Sequence, residues 1–236
     1  MSFSKKYVID TGYVDKNLRL RISNLFLMFQ EIAEEHAENI GIGRDKVFAV
    51  GRKWIITRHY LKIDHLPTYG DEVTLTTYPG KYNPYFYYRY FYLSDKDGKI
   101  LAKAASIWAI IDAKTNKVVV NAFDKKLPEE SREDELPLPR KIEEDTSTKV
   151  METKVQYSDI DLNGHLNNTR YIEYIQNIHD SSYYKDNVLD EVIVNYFSEI
   201  KENEIVSLYS ERSDKKEIIK GAVDGRDCFK AIFIYK

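Results

Sequence analysis

Apolar and polar positions repeat with two different periods along this chain, and the changes of period mark its elements. From Asn24 to Gly41 the residues Leu25, Met28, Phe29, Ile32, Ala33, His36, Ala37 and Ile40 follow the i, i+3, i+4, i+7 spacing of an amphipathic helix. Asn24 is placed to cap its start and Gly41 to stop it, while Glu31, Glu34, Glu35 and Glu38 lie off the apolar stripe. So long a stripe needs a large partner, and a sheet is expected beneath it. Strand patterns rich in β-branched and aromatic residues follow at 54–63, 72–78, 85–93 and 100–111. A turn at Pro67, Tyr69, Gly70 and Asp71 separates the first two, and Ser94-Asp95-Lys96-Asp97-Gly98 is a hairpin signal between the last two. The run YFYYRYFYL at 85–93 is too apolar for a solvated loop.

The pattern then breaks and restarts. Residues 123–148 hold Pro128, Pro137 and Pro139, are dense in charge, and read as a linker over the surface. After it come a strand at 150–157, a polar turn at 158–168, and a second amphipathic helix at 169–180 carrying Tyr171, Ile172, Ile175 and Ile178. Strands are expected at 192–200, 205–211, 217–223 and 227–235, with Asp224-Gly225-Arg226 as the last hairpin turn. Both halves thus read as strand, helix, then about four strands. Phe29, Ile32 and His36 stand 143 residues before Ile172, Ile175 and His179, and Gly70-Asp71-Glu72-Val73 stands 132 before Glu202-Asn203-Glu204-Ile205. The expectation is two units, 1–122 and 149–236, joined by the linker 123–148 and sharing one sheet.

Composition narrows the class. A chain of 236 residues is one large domain or two of half the size. With 43% hydrophobic and 31% charged residues it can build a core and is not a disordered chain. Its 19 tyrosines favour half-buried strand surfaces. A net charge of −3 gives no global attraction to nucleic acid. The lone Cys228 excludes an intramolecular disulfide framework and a multi-cysteine metal cluster. The N-terminus lacks the apolar core of a signal peptide, and no apolar run of about 20 residues exists to span a bilayer. A soluble, cytoplasmic protein is expected.

The densest polar cluster is the turn Ser158–Asn168, between a strand and a helix. Such turns as often supply caps and Asx turns as chemistry. Here a carboxylate, an amide and an imidazole stand at alternate positions, Asp161, Asn163 and His165, and an extended segment would put them on one face. An acid/base pair beside an amide donor suits attack on a carbonyl.

The run Asp161-Leu162-Asn163-Gly164-His165-Leu166-Asn167-Asn168, followed by Tyr171-Ile172, resembles the D-x-N-x-H-x-N-N-x-x-Y-[IL] signature of acyl-acyl carrier protein thioesterases. Trp54-Ile55-Ile56-Thr57-Arg58, Pro67, Gly70-Asp71, Arg89 and Ala104-Ala105-Ser106-Ile107-Trp108 resemble the family's first-half landmarks in order. The resemblance implies an α+β fold of two tandem hotdog units, each a long helix packed on an antiparallel sheet. The first unit would shape the acyl pocket, and the second would carry catalysis. It implies Asp161, Asn163 and His165 as catalytic residues. Glu199 joins them, in the context Tyr196-Phe197-Ser198-Glu199-Ile200, which is like the family's Y-x-x-E-C in a strand after the second helix. Ile200 replaces the cysteine found next in plant members, which argues against thiol catalysis. Cys228 reads as a small core residue.

On that reading Glu199 and Asp161 are the carboxylate machinery, with Glu199 the leading base for water. Which of the two reacts directly, and whether as base or as nucleophile, is open at this point, while Asp161 orients or assists His165 and His165 handles protons. Asn163 fixes the geometry or polarises the carbonyl, and backbone N–H groups around Asn167–Thr169 stabilise the oxyanion. Met28, Phe29 and Ile32 are candidates for the acyl-binding wall, with ordinary core packing as the equal alternative. His36 and His179 read as core histidines and His59 and His65 as surface ones; no spacing reads as a metal site and no cofactor is implied.

The resemblance implies hydrolysis of acyl-acyl carrier protein to free fatty acid and holo carrier protein, in fatty acid biosynthesis. Alternatives are a hotdog acyl-CoA thioesterase, a non-catalytic acyl-binding hotdog protein, and a hotdog dehydratase, for which the first helix lacks a paired motif. The implied partner is acyl carrier protein bearing acyl-phosphopantetheine, with no nucleic acid and no membrane insertion, and the oligomeric state is open between a monomer and a homodimer. An acidic carrier needs a local basic patch, with Lys103, Lys114, Lys117, Arg132 and Arg140 as candidates. Chain-length preference depends on a cavity depth that the sequence does not display.

Overall fold

The computed structural model describes residues 2–236. The first half contains β1 (Phe3–Val8), α1 (Ile22–Asn39), α2 (Arg44–Phe48), β2 (Arg52–Ile63), β3 (Glu72–Tyr82), β4 (Tyr87–Asp95) and β5 (Ile100–Asp112). The second contains β6 (Lys149–Lys154), α3 (Asn168–Gln176), α4 (Tyr183–Asp186), β7 (Leu189–Tyr196), β8 (Ile205–Ser213), β9 (Lys216–Val223) and β10 (Arg226–Tyr235). Among the described residues the ten strands pair into one antiparallel sheet, β1-β3-β4-β5-β2-β7-β10-β9-β8-β6. Each half uses the same internal strand order, and the halves join at the β2–β7 pair, from Arg58 opposite Asn195 to Lys62 opposite Glu191.

Strand side chains alternate between two buried faces. Leu75, Phe91, Leu61, Val194, Phe229 and Phe233 belong to the core that includes Leu25, Phe29 and Ile32 of α1 and Ile172 of α3. The other face is covered by residues 113–148, which hold no helix or strand. Tyr78, Tyr90 and Tyr92 pack with Leu136 and Leu138, and Ile193 and Ile232 pack with Ile142. Asn195 fastens this crossing, accepting from Ile142 N at 2.9 Å and donating to Arg140 O at 3.1 Å. The segment read as a surface linker is therefore a cover with Leu127 and Ile142 buried in it. A strand buried on both faces has no polar alternation to keep, which explains the aromatic run in β4.

Several elements differ from the sequence expectation, each for a local reason. Asn24 lies inside α1, and its Nδ2 donates to Gly12 O and Tyr13 O, both at 3.0 Å, so it ties down the preceding loop instead of capping. Gly41 follows the C-cap Ile40 with φ +73°, the left-handed stop expected of it. The second helix ends at Gln176, because Asp180 Oδ1 gathers the N–H groups of Ser182 and Tyr183 into a turn. The helix starts, Ile22 and Asn168, set the internal repeat at 146 residues here, one turn away from the 143 read from the apolar spacing. β7 ends at Tyr196, because Phe197 N and Ser198 N both bond to Cys228 O and the chain leaves the sheet before Glu199. β1 escaped the pattern: FSKKYV is a charged edge strand with no fully buried residue.

His59, expected at the surface, is 5% exposed in the central strand β2, against Phe26 at 4.8 Å between ring centres. Burial pushes its imidazole down to about 3, so the ring is neutral, and neither nitrogen has a partner among the described residues. No helix among the described residues is long and apolar enough to cross a membrane.

Candidate active site

The polar turn is built by Asp161. Its Oδ1 accepts from Asn163 N at 2.8 Å and from His165 N at 3.4 Å, while its own N–H donates to His165 O at 2.8 Å. Gly164 supplies the left-handed corner with φ +80°. An Ile160–Leu166 bridge closes the base of the loop, and Leu166 N donates to Ile200 O at 2.8 Å. The segment is thus a closed Asx turn rather than an extended stretch, and its side chains converge because the chain reverses. Asp159 anchors it from below, accepting from Gln156 N at 2.9 Å and from the buried Tyr174 hydroxyl at 2.7 Å.

The next helix starts from this turn. Asn167 caps α3, its Oδ1 accepting from Thr169 N at 3.0 Å, and Asn167 N donates to Asp159 O at 2.9 Å. Asn168 N, between them, donates to no described group. That leaves one helix-start N–H free to meet negative charge.

The candidate constellation forms across this turn. His165 Nε2 lies 3.1 Å from Glu199 Oε2, and Lys53 Nζ lies 2.5 Å from Glu199 Oε1. Arg226 donates to the Glu199 carbonyl at 3.1 Å. Glu199 therefore sits between a second-half imidazole and a first-half ammonium. Asp161 reaches the backbone of His165, and the imidazole's carboxylate partner is Glu199. Asn163 Nδ2 donates to Asp161 Oδ2 at 3.3 Å.

Asp161, Asn163, His165 and Glu199 all line one cavity of about 790 Å³ between the halves. Its wall continues through Trp54, Ile56, Tyr87 and Trp108 to Arg89 on β4 and Gly80 on β3. Met28, Phe29 and Ile32 are not on this wall; the structure places all three in the core, each at most 1% exposed. The face of α1 that lines the cavity carries Gln30, Ala33, Glu34 and Ala37. The spacing of apolar residues finds the face that meets the sheet, and the cavity opens beside that face.

Sequence reasoning missed Lys53. Nothing in the sequence near Arg52-Lys53-Trp54 marks this lysine, because its partner comes from the other half through the β2–β7 pairing. The basic candidates for carrier docking also shift. Lys103 of β5 pairs with Asp134 of the covering segment at 2.5 Å, and within that segment Arg132 pairs with Glu130 at 2.8 Å and Arg140 with Glu144 at 2.8 Å. The cations that line the cavity are Arg44, Arg52, Lys53, Arg89, Lys201 and Arg226. Cys228 is buried, its Sγ donates to Arg226 O at 3.3 Å, and burial raises the thiol pKa. Among the described residues no cluster of His, Cys, Asp or Glu is arranged to hold a metal ion.

Comparison with known proteins bears on this arrangement. The family model described as the acyl-ACP thioesterase N-terminal domain matches residues 1–124, and the corresponding C-terminal domain model matches residues 142–226. The chain belongs to the acyl-ACP thioesterase family. Among its relatives, acyl-[acyl-carrier-protein] hydrolase FATB3, chloroplastic, of Cuphea viscosissima is 23% identical over 241 residues, covering 92% of this chain and 56% of that protein. Oleoyl-acyl carrier protein thioesterase 1, chloroplastic, of Arabidopsis thaliana is 23% identical over 227 residues, covering 87% of this chain and 62% of that protein. The acyl-ACP thioesterase family member described here thus spans about half the length of the curated relatives it matches. A crystal structure of an acyl-ACP thioesterase from Bacteroides thetaiotaomicron superposes with a TM-score of 0.88 at 24% identity, covering 100% of this chain and 98% of that one. The 12:0-ACP thioesterase from Umbellularia californica gives a TM-score of 0.82 at 18% identity, covering 100% and 97%. The fold is the expected α+β pair of tandem hotdog units.

Proposed function

We propose that this protein hydrolyses the thioester of acyl-acyl carrier protein, releasing a fatty acid and the holo carrier protein. The observation that carries the reading is the His165–Glu199 contact of 3.1 Å at the wall of a cavity of about 790 Å³. A carboxylate has about four lone-pair sites, so Glu199, holding Lys53 and His165, keeps capacity for a water. Glu199 takes a proton as that water attacks the carbonyl carbon. The oxyanion forms near the free N–H of Asn168 and the Asn163 amide. Collapse expels the pantetheine thiolate, and His165, bonded to the carboxylate that took the first proton, supplies a proton to the sulfur. Asp161 acts by holding the turn that presents Asn163 and His165.

The apolar wall from Trp54 to Trp108 takes the acyl chain, replacing Met28, Phe29 and Ile32 in that role. Arg44, Arg52, Lys201 and Arg226 give an acidic carrier complementary charge at the cavity. The test is kcat/KM on matched acyl-carrier and acyl-CoA substrates of graded length. Preference for the carrier-linked set supports this reading, equal or greater activity on acyl-CoA overturns the substrate assignment, and no hydrolysis of either overturns the activity.

A further inference from the structure

Arg89 lines the cavity on a strand remote from Glu199. It lies on β4, and β7, β2, β5 and β4 are successive neighbours in the sheet. Three strand spacings, about 14 Å laterally, therefore separate its strand from the one that leads to Glu199. Arg89 is 7% exposed and lines the cavity. Its guanidinium is bonded through one nitrogen: Nη1 meets His36 Nδ1 at 3.0 Å and Thr77 Oγ1 at 3.2 Å. Nε and Nη2 donate to no described group, and no described carboxylate pairs with it.

Both of its partners are neutral. Burial, and secondarily Arg89 itself, push the His36 imidazole down to about 4. Burial lowers the Arg89 guanidinium only to about 10, so it stays charged at neutral pH. A buried cation without an anion is expensive, and it is tolerated where something else completes it.

The second half contains its own control. Thr77 pairs with Phe91, and Arg89 lies two residues before Phe91; Ser210 pairs with Ile219, and Glu217 lies two residues before Ile219. Glu217 thus holds the strand position of Arg89. It is 1% exposed, but it is fully served: it accepts from His179 Nε2 at 2.9 Å, Ser210 Oγ at 2.5 Å and the Tyr235 hydroxyl at 2.8 Å. Tyr183 stacks on His179 at 3.8 Å and closes the space above it. Where this fold buries a charge for structure alone, it surrounds the charge with partners. At Arg89, which lines a cavity, it leaves two nitrogens without a partner among the described residues.

We propose that Arg89 binds an acceptor oxygen at the far end of the acyl chain, a carboxylate most tightly and a hydroxyl less so, so that the cavity selects chains bearing a polar group remote from the thioester. This rests on the acyl-binding reading of the cavity. A guanidinium and a carboxylate pair through charge-assisted hydrogen bonds in a site already stripped of bulk water. A methyl-ended chain would cover the cation and offer it nothing.

The test uses pantetheine amides, which resist hydrolysis, carrying chains of equal length that end in a methyl, a hydroxyl or a carboxylate. Trp54 and Trp108 are the chain's only tryptophans and both line the cavity, so their fluorescence reports occupancy. Over a graded series of lengths, the carboxylate-ended ligand is expected to bind about tenfold or more tighter than the methyl-ended one at the best length, with the hydroxyl between. Arg89→Gln is expected to lose that ordering, and Arg89→Lys to keep part of it. Equal affinities in the unmodified protein at every length overturn the proposal, as does a carboxylate preference that survives Arg89→Gln. If Arg89→Gln does not fold, the ordering in the unmodified protein and in Arg89→Lys decides. Because the readout is binding, absence of thioester hydrolysis would overturn the proposed function and leave this result to stand or fall alone.

Discussion

The two halves enter their helices through the same loop, and only one of those loops faces a cavity. In the first half Asp15 Oδ1 accepts from Asn17 N at 2.8 Å and Arg19 N at 3.0 Å, and Asp15 N donates to Arg19 O at 2.9 Å. In the second, Asp161 makes the same set of contacts to Asn163 and His165. Bridges Val14–Leu20 and Ile160–Leu166 close both loops, and Leu18 at φ +61° stands where Gly164 stands at φ +80°. The loop is therefore a structural device that this fold uses twice. Its aspartate and asparagine come with the architecture. What differs is the fifth position, Arg19 against His165, and the presence of Glu199 to meet the imidazole. Arg19 instead donates to Tyr184 O at 3.2 Å, in the segment that fills the second half's corresponding space.

His165→Ala should lower kcat by about 10²–10³ with little change in melting temperature, while Arg19→Ala leaves kcat unchanged. Equal losses in both would mean that the loops share a structural role alone. Glu217→Ala should cost about 3 kcal/mol of stability, since it strands the buried donors of Ser210 and Tyr235, with turnover per folded molecule unchanged. Denaturant titration beside an activity assay separates the two.

The smallest effect concerns pH. His59 is neutral in the folded chain, near 3, and has its ordinary value of about 6.5 when unfolded. Between these values the unfolded state binds more protons, so stability rises with pH and is lost as the pH falls below about 6.5. At pH 5 the loss from this one group is about 2 kcal/mol. His59→Leu should remove about that much of the stability lost between pH 7 and pH 5, read by denaturant titration at each pH, and an unchanged pH dependence would show that the ring is solvated. His36, held near 4, adds to the same slope and remains in the variant.

Much of this was legible in the sequence, and the failures have causes. The strands of both halves apart from β1, the hairpin at Asp224-Gly225 and the turn bearing Asp161 and His165 follow from alternation, turn residues and motif spacing. His59 was misjudged because a polar residue in a strand reads as solvent-facing until the strand is known to be central with both faces covered. Lys53 and the buried role of Arg89 depend on pairings that sequence spacing does not encode. The Asp15–Leu20 counterpart was visible as D-x-N-x-[RH]-L in both halves. The apolar helix spacing of 143 hides it, because the loops align only at 146, one turn away.

The central claim is that Glu199 acts on the substrate while Asp161 builds the turn. The direct measurement is kcat on an acyl-acyl carrier protein for Glu199→Gln and Asp161→Asn in parallel. Asparagine at 161 still offers an Oδ1 to both loop N–H groups, so this variant should stay within about tenfold of the unmodified protein, whereas Glu199→Gln should fall by about 10²–10⁴. Turnover that survives Glu199→Gln and collapses in Asp161→Asn would contradict the account and place the reacting carboxylate in the turn.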